Sequence, residues 1–307
     1  MKTRKATTSR TKKAPIKRVS RDHITYTFSK DKPPILEIEP GESLVFETLD
    51  AASGKIATLE DAFTVIAHKE QANPATGPVA VRGAEPGDSL VVTIRKIKLG
   101  PYGYSRIRAG GGVIIDELNP PEAKIIQVKG KAVHFTDRIK FPIRPMVGVI
   151  GVAPAGEAVH TFYPGPHGGN MDCNLIKEGS KVYLPVSVPG GLLSIGDVHA
   201  SMGDGELTGG GIDISAEVAV RVDLLKGRSW KRPWVETKDS WAACANAPDL
   251  AEAIRIATSD MATFLADKLG ITREEAFILI GTRGDVKVGQ AAQLKMDVTV
   301  CLEVPKL

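Results

Sequence analysis

Cysteine, aromatic residues and long apolar runs are all scarce in this chain of 307 residues. Its three cysteines, Cys173, Cys244 and Cys301, stand far apart and form no CxxC pair. That spacing supports neither a zinc ribbon nor a thioredoxin-type motif, and it fits a reducing, cytoplasmic setting. Aromatics make up only 5% of the residues, which disfavours a module that stacks rings on sugars or bases. No apolar run approaches the roughly 20 residues needed to span a bilayer, so no transmembrane helix is expected. The N-terminus has no apolar h-region of the kind a secretory leader carries. A GxSxG elbow, a Walker-type phosphate loop and a dinucleotide glycine pattern are also missing, so serine α/β-hydrolase and nucleotide-binding readings lose support.

Acidic residues are absent from residues 1–21, which hold nine Lys and Arg. The whole chain carries +4, so the remainder is net −5 and the basic balance belongs to a tail. Residues 1–21 are expected to be a solvated, disordered extension. Contact with nucleic acid or an anionic membrane surface is expected only through that tail, because a mildly acidic body does not favour DNA.

Short strand patterns dominate the chain beyond the tail. Ile35–Glu39 alternates apolar and acidic residues, and a Pro-Gly turn then launches Ser43–Leu49. Glu85-Pro-Gly-Asp-Ser-Leu-Val nearly repeats Glu39-Pro-Gly-Glu-Ser-Leu-Val and launches a second strand, Ser89–Leu99. Tyr102–Gly112 reads as a surface loop. Further extended runs are expected at Val113–Ile115, Lys124–Val128, Lys131–Phe135, Met146–Val152, Val182–Val188, Leu192–Ile195 and Ile212–Leu225. Near the C-terminus, apolar residues at steps of three and four predict a helix over Pro248–Leu269, stopped by Gly270. Thr272 and Glu275 form a capping box that opens a second helix to about Gly281. The expected fold is mainly β. An antiparallel β-sandwich or barrel core occupies 22–235, and an α+β C-terminal portion, 236–307, packs two helices on it.

Chemistry-bearing residues concentrate in Tyr163–Asp213, which holds twelve of the 31 glycines. His167, Asn170 and Asp172 lie within six residues among glycines and can point at one small ligand. Asp197 and His199 are two apart, so an extended strand projects both from one face, as two ligands of one metal or as a carboxylate orienting an imidazole. Glu206 returns on the next loop, and Asp213 comes just after a Gly-Gly-Gly run. Glu217 fits a solvent-facing position. Asp50, at a strand end, reads from the residues alone as a turn cap. Cys173 is a rival nucleophile, although alternation points it away from Asp172.

Taken together, Tyr163-Pro-Gly-Pro-His-Gly-Gly-Asn-Met-Asp172, Tyr183-Leu-Pro-Val186, Pro189-Gly-Gly191, Gly196-Asp-Val-His199 and Gly203-Asp-Gly-Glu206 resemble the acetamidase/formamidase family. The likeness runs from about His23 to Pro305. It implies a metal-associated, mainly β amidohydrolase, homo-oligomeric, that cleaves short amides to ammonia and a carboxylate. The positions carried over are Asp50, His167, Asn170, Asp172, Asp197, His199, Asp204, Glu206 and Asp213. Many members have Glu where Asp213 stands, which bears on pocket size. On this reading Asp172, Asp197 and His199, with Asp50 as a fourth or supporting group, hold a divalent cation, Zn²⁺ first, with manganese and nickel chemically admissible. Glu206 or Asp213 moves the proton, and His167 and Asn170 hydrogen-bond the amide. Two alternatives stay open: a cysteine-nucleophile amidase using Cys173, and a non-catalytic β-sandwich that binds a small ligand.

Overall fold

The computed structural model describes residues 16–65, 69–109, 111–292 and 296–307. Two large sheets and a two-stranded ribbon carry the chain, with three α-helices among the described residues. The nine-stranded sheet is built around Ala216–Leu225, which pairs antiparallel with Glu42–Thr48 on one side and Ser89–Leu99 on the other. The two strands launched by the repeated Pro-Gly turn therefore flank one common partner. Alternation explains the pairing: Val218, Val220 and Val222 are fully buried, while Glu217 and Arg221 point outward. Glu217, as expected, meets solvent-side cations, lying 3.0 Å from Arg18 and 2.9 Å from Lys98.

The twelve-stranded sheet faces this one. Phe46, Leu90, Val182 and Val220 from the first sheet share one core cluster with Val79, Ile150, Leu193 and Ile214 from the second. Each such side chain contributes roughly 1.5–3 kcal/mol when fully buried, so this interface holds the β-sandwich together. The mainly β expectation is thus met.

The C-terminal strands do not form a sheet of their own. Ser240–Ala247, Val298–Pro305 and Asp285–Val288 lengthen the nine-stranded sheet beyond Trp234–Glu236. Their outer face is covered by α2 (Leu250–Leu269) and α3 (Arg273–Arg283), through Met261, Phe264, Leu265 and Ile280 against Trp234, Ala243 and Leu302. Asp249, rather than Pro248, starts α2: its side chain accepts from Glu252 N at 2.9 Å, and Gly270 ends the helix in the left-handed region. The Thr272–Glu275 capping box is present, and α3 continues past Gly281 to Arg283. A short α1 (Leu59–Thr64), with its own Thr58–Asp61 capping box, is an element the periodicity did not reveal. Among the described residues, no helix is long and apolar enough to cross a membrane.

Three expectations need correction. Residues 1–15 of the basic tail lie outside the described residues, but Lys17–Val19 is a strand pairing parallel with Glu42–Thr48, and Arg18 bonds Glu47 at 2.9 Å. The acidic partners for those cations sit far away in sequence, so a local charge count misses them. Tyr102–Ile107 is a strand, not a loop, paired with Glu122–Lys129 and with Asp213. Val113–Ile115 is not a strand; the 3₁₀ turn Ile115–Glu117 begins there.

Candidate active site

The site forms where one strand changes partners. Leu193–His199 is completely buried and pairs with Met146–Gly151 along one side. On its other side, Leu193–Gly196 pairs with Ala75–Val81, whereas Val198 and His199 pair with Asp213–Ile214. Asp197 stands at the handover. Its φ is 43°, so the regular strand is broken there, yet its carboxylate still joins the imidazole of His199. Asp213 lies directly across the ladder from His199. The neighbouring arm, Gly168–Asn170, pairs with Met146–Gly151 and delivers Asn170 and then Asp172 to the same point.

Ligand atoms of Asp172, Asp197 and His199 all lie within 4.8 Å of one another, and all three residues are buried. His199 Nε2 is 3.4 Å from Asp197 Oδ1, 3.2 Å from Asp213 Oδ1 and 4.0 Å from Glu206 Oε1. Neither aspartate oxygen is aligned for a hydrogen bond, and both oxygens of Asp172 and Glu206 Oε2 are buried without a partner as well. Buried carboxylate oxygens without donors cost several kcal/mol per charge. These positions set the electrostatics. Burial, then the Asp197 charge, raises the Asp172 carboxyl to about 7. Burial and the Asp172 charge push Glu206 well up. Burial opposes protonation of His199, but Asp197 and Asp213 outweigh it and hold its pKa well above the usual imidazole range. Four carboxylates around one imidazole, with several oxygens unpaired, make a donor set suited to a hard or borderline divalent cation.

Above this cluster opens a cleft of about 290 Å³, lined by Asn170, Asp197, His199, Glu206 and Asp213 and closed on other sides by groups that include Phe162 and Arg108. That volume lies near the lower end of small-molecule sites. Six described non-glycine residues have positive φ, and four of them, Asn73, Asp172, Asp197 and Glu206, belong to this site. Left-handed backbone at such residues costs on the order of 1–3 kcal/mol each and clusters at functional sites.

Not every expected group arrives. Asp50 Oδ1 accepts from Ala52 N at 2.9 Å and Gly54 N at 3.1 Å, so it caps a turn as its strand-end position suggests. It is outside the ligand triad, although burial, with Asp213 and Asp197 nearby, raises its pKa to about 6. His167 does not line the cleft. Its ring packs edge-on against Phe28 at 5.0 Å, and burial alone lowers its pKa to about 4. Asp204 lies at the surface and accepts from Asn174 at 2.8 Å. Cys173 is buried outside the cleft beside Cys244 and Cys301.

Two groups escape a reading of the sequence. Asn73 Nδ2 donates to Asp197 Oδ2 at 3.0 Å and to Asn170 Oδ1 at 3.3 Å, fixing both side chains. Its only signal is an Asn-Pro pair before a strand. Gly148 lies in the strand opposite Asp197; a Cβ there would stand 2.4 Å from Asp172 Oδ1 and 3.2 Å from Asp197 Oδ2. In sequence it is one glycine within an apolar run.

The profile of the Acetamidase/Formamidase family matches residues 13–161 and 155–305. The chain belongs to the acetamidase/formamidase family. A crystal structure of an acetamidase from Bacillus halodurans is 38% identical with a TM-score of 0.90, covering 94% of this chain and 97% of that one. A γ-lactamase from Delftia acidovorans is more distant in the same comparison, 26% identical with a TM-score of 0.65, covering 93% of this chain and 89% of that one. The formamidase of Methylophilus methylotrophus is 28% identical, with 64% of this chain covered. The chain spans only 62% of that curated relative.

Proposed function

We propose that this member of the acetamidase/formamidase family hydrolyses short-chain amides to ammonia and a carboxylate, with a divalent cation, Zn²⁺ first, held by Asp172, Asp197 and His199. The observation that carries the reading is the convergence of those three ligand atoms within 4.8 Å beneath a small cleft. A cation there supplies Lewis acidity, polarising a carbonyl and making water more acidic. The remaining work falls to the chain's own groups. Asn170, held by Asn73 at 3.3 Å, has its amide N–H free of that bond and offers it to the substrate oxygen. Glu206 Oε2, buried and unpartnered at the cleft wall, holds a proton and delivers it to the leaving nitrogen. Asp213, whose Oδ1 lies 3.2 Å from His199 Nε2, adds a further negative charge beside the imidazole and so favours a cation at the cluster. The enclosed volume favours formamide- or acetamide-sized substrates over bulky ones.

Ammonia release from a panel of short amides, before and after chelation, tests this, with metal analysis of the same preparation. Activity should fall on chelation and return with added Zn²⁺. Undiminished turnover in protein shown to be metal-free would remove the cation from the reading; no turnover of any amide would favour the ligand-binding module. A cysteine mechanism is disfavoured because Cys173 lies outside the cleft. Phe277 and Ile278 on α3 are 60% and 68% exposed, which supports association into a homo-oligomer through the helical face, measurable by light scattering. Free thiols at all three cysteines support a reducing, cytoplasmic location.

A further inference from the structure

The three cysteines, so widely spaced in sequence, meet at one buried point. Cys173 comes directly after Asp172, Cys244 lies in Ser240–Ala247, and Cys301 stands directly across from it in Val298–Pro305. None is more than 5% exposed. Cys244 Sγ and Cys301 Sγ are 2.9 Å apart, and the three sulfurs all fall within 4.8 Å of one another. A cavity of about 10 Å³, close to the size of a single small guest, adjoins Cys244 and Cys301 and is also lined by Met171. Filling space does not explain this choice of side chain. The same strand meets its other small-residue positions with Ala242, Ala243, Ala245 and Ala247, and sulfur appears only where three sulfurs converge.

We infer that Cys173, Cys244 and Cys301 form a trithiolate site for a thiophilic d¹⁰ cation, Cu⁺ or Zn²⁺. Soft thiolates select such ions, whereas the oxygen-rich cluster around His199 suits hard or borderline divalent ones and offers Cu⁺ no sulfur. Three sulfurs complete a trigonal shell for Cu⁺. Zn²⁺ would take a fourth ligand, for which the adjoining cavity has about the volume of one water. Each thiol gives its proton to solvent as the ion binds, so the buried charge is −2 with Cu⁺ and −1 with Zn²⁺. The bound ion ties two strands of the nine-stranded sheet, Ser240–Ala247 and Val298–Pro305, to the segment that carries Asp172. Its role is therefore anchorage of the cleft floor, and it does not depend on which reaction the cleft performs.

Metal-free, reduced protein is titrated anaerobically with Cd²⁺, as a spectroscopic substitute for Zn²⁺, and separately with Cu⁺ buffered by a chromophoric chelator. The ultraviolet thiolate-to-metal band reports sulfur ligands only, so the carboxylate cluster is silent. One equivalent of either ion should saturate the band and raise Tm, and both effects should be lost in Cys301→Ala and Cys173→Ala while Asp172→Asn keeps the band. A response to Cd²⁺ alone assigns the zinc class, and a response to Cu⁺ alone assigns copper. No band with either ion, an unchanged band in Cys301→Ala, or a Cys244–Cys301 disulfide in the isolated protein would overturn the site. If the variants do not fold, X-ray absorption of ion-loaded wild type decides: three sulfur neighbours support the site, and an oxygen-only shell overturns it.

Discussion

Gly148→Ala isolates the geometry of the acidic cluster with a single methyl group. Gly148 sits in the strand Met146–Gly151 and lies outside the left-handed region, so alanine suits its backbone. The added Cβ would meet Asp172 Oδ1 at 2.4 Å, Asp197 O at 3.0 Å and Asp197 Oδ2 at 3.2 Å. Ordinary contact begins near 3.4 Å, so Asp172 must retreat by about 1 Å. It has little room to do so, because it is fully buried and already at φ 47°. A displacement of about 1 Å at a reacting centre costs about 100-fold in rate, or roughly 2.7 kcal/mol. Overpacking should remove a further ~1–3 kcal/mol of stability. Amide turnover by ammonia release, together with urea unfolding, measures both. Gly281→Ala serves as control: it lies in α3 with nothing within 4 Å of its built Cβ, and it should leave turnover unchanged while gaining up to about 1 kcal/mol. Because so large a loss is expected from the displacement, turnover of Gly148→Ala within about twofold of wild type would refute the proposal that Asp172 must occupy its observed position.

Asn73→Ala removes the donor that fixes Asp197 and Asn170; kcat/KM should fall about 10- to 100-fold, with bound divalent metal reduced in the same preparation. Asp172→Asn should abolish stoichiometric binding of the divalent cation at the acidic cluster, measured by metal analysis after dialysis, while far-ultraviolet circular dichroism stays native. His167 gives a stability prediction with a fixed sign. Its folded pKa, about 4, lies below the unfolded value near 6.5, so the unfolded chain binds the extra proton between those pH values. Stability should therefore be complete above about pH 6.5 and decline as pH falls toward about 4, by at most about 3 kcal/mol. Urea unfolding across that range should show a flatter profile in His167→Gln than in wild type.

Most of the β framework was legible because its strands alternate. Ala216–Leu225 shows why: valines on one face and charges on the other announce a half-buried strand. Ala75–Val81 is buried on both faces and contains Gly77 and Pro78, so it offers neither alternation nor an uninterrupted β-branched run. Tyr102–Ile107 was hidden by flanking glycines, since its neighbours Asp213 and Glu122–Lys129 are remote in sequence. Within the site, spacing drew attention to Asp197 and His199, and their ligand atoms come within 4.8 Å of each other and of Asp172. The two-residue rule assumes an extended backbone, whereas Asp197 leaves the extended region where the strand changes partners, and the two side chains meet all the same. His167 looked equivalent to Asp172 in a glycine-rich run, but the ladder with Met146–Gly151 sends Asn170 inward and leaves His167 against Phe28. Asn73 and Gly148 act through contacts across the sheet, and no local pattern announces such contacts.

The left-handed residues around the cleft set two kinds of fitness against each other. Asn73, Asp172, Asp197 and Glu206 each occupy backbone that glycine would adopt more easily. A laboratory selection for heat tolerance alone would therefore drift these four positions toward glycine, and each step would strip a carboxylate or its orienting amide from the cleft. Thermostabilisation of this fold has to be sought elsewhere, at exposed helical positions such as Gly281, and any variant library that leaves these four positions free will enrich for stable, silent proteins.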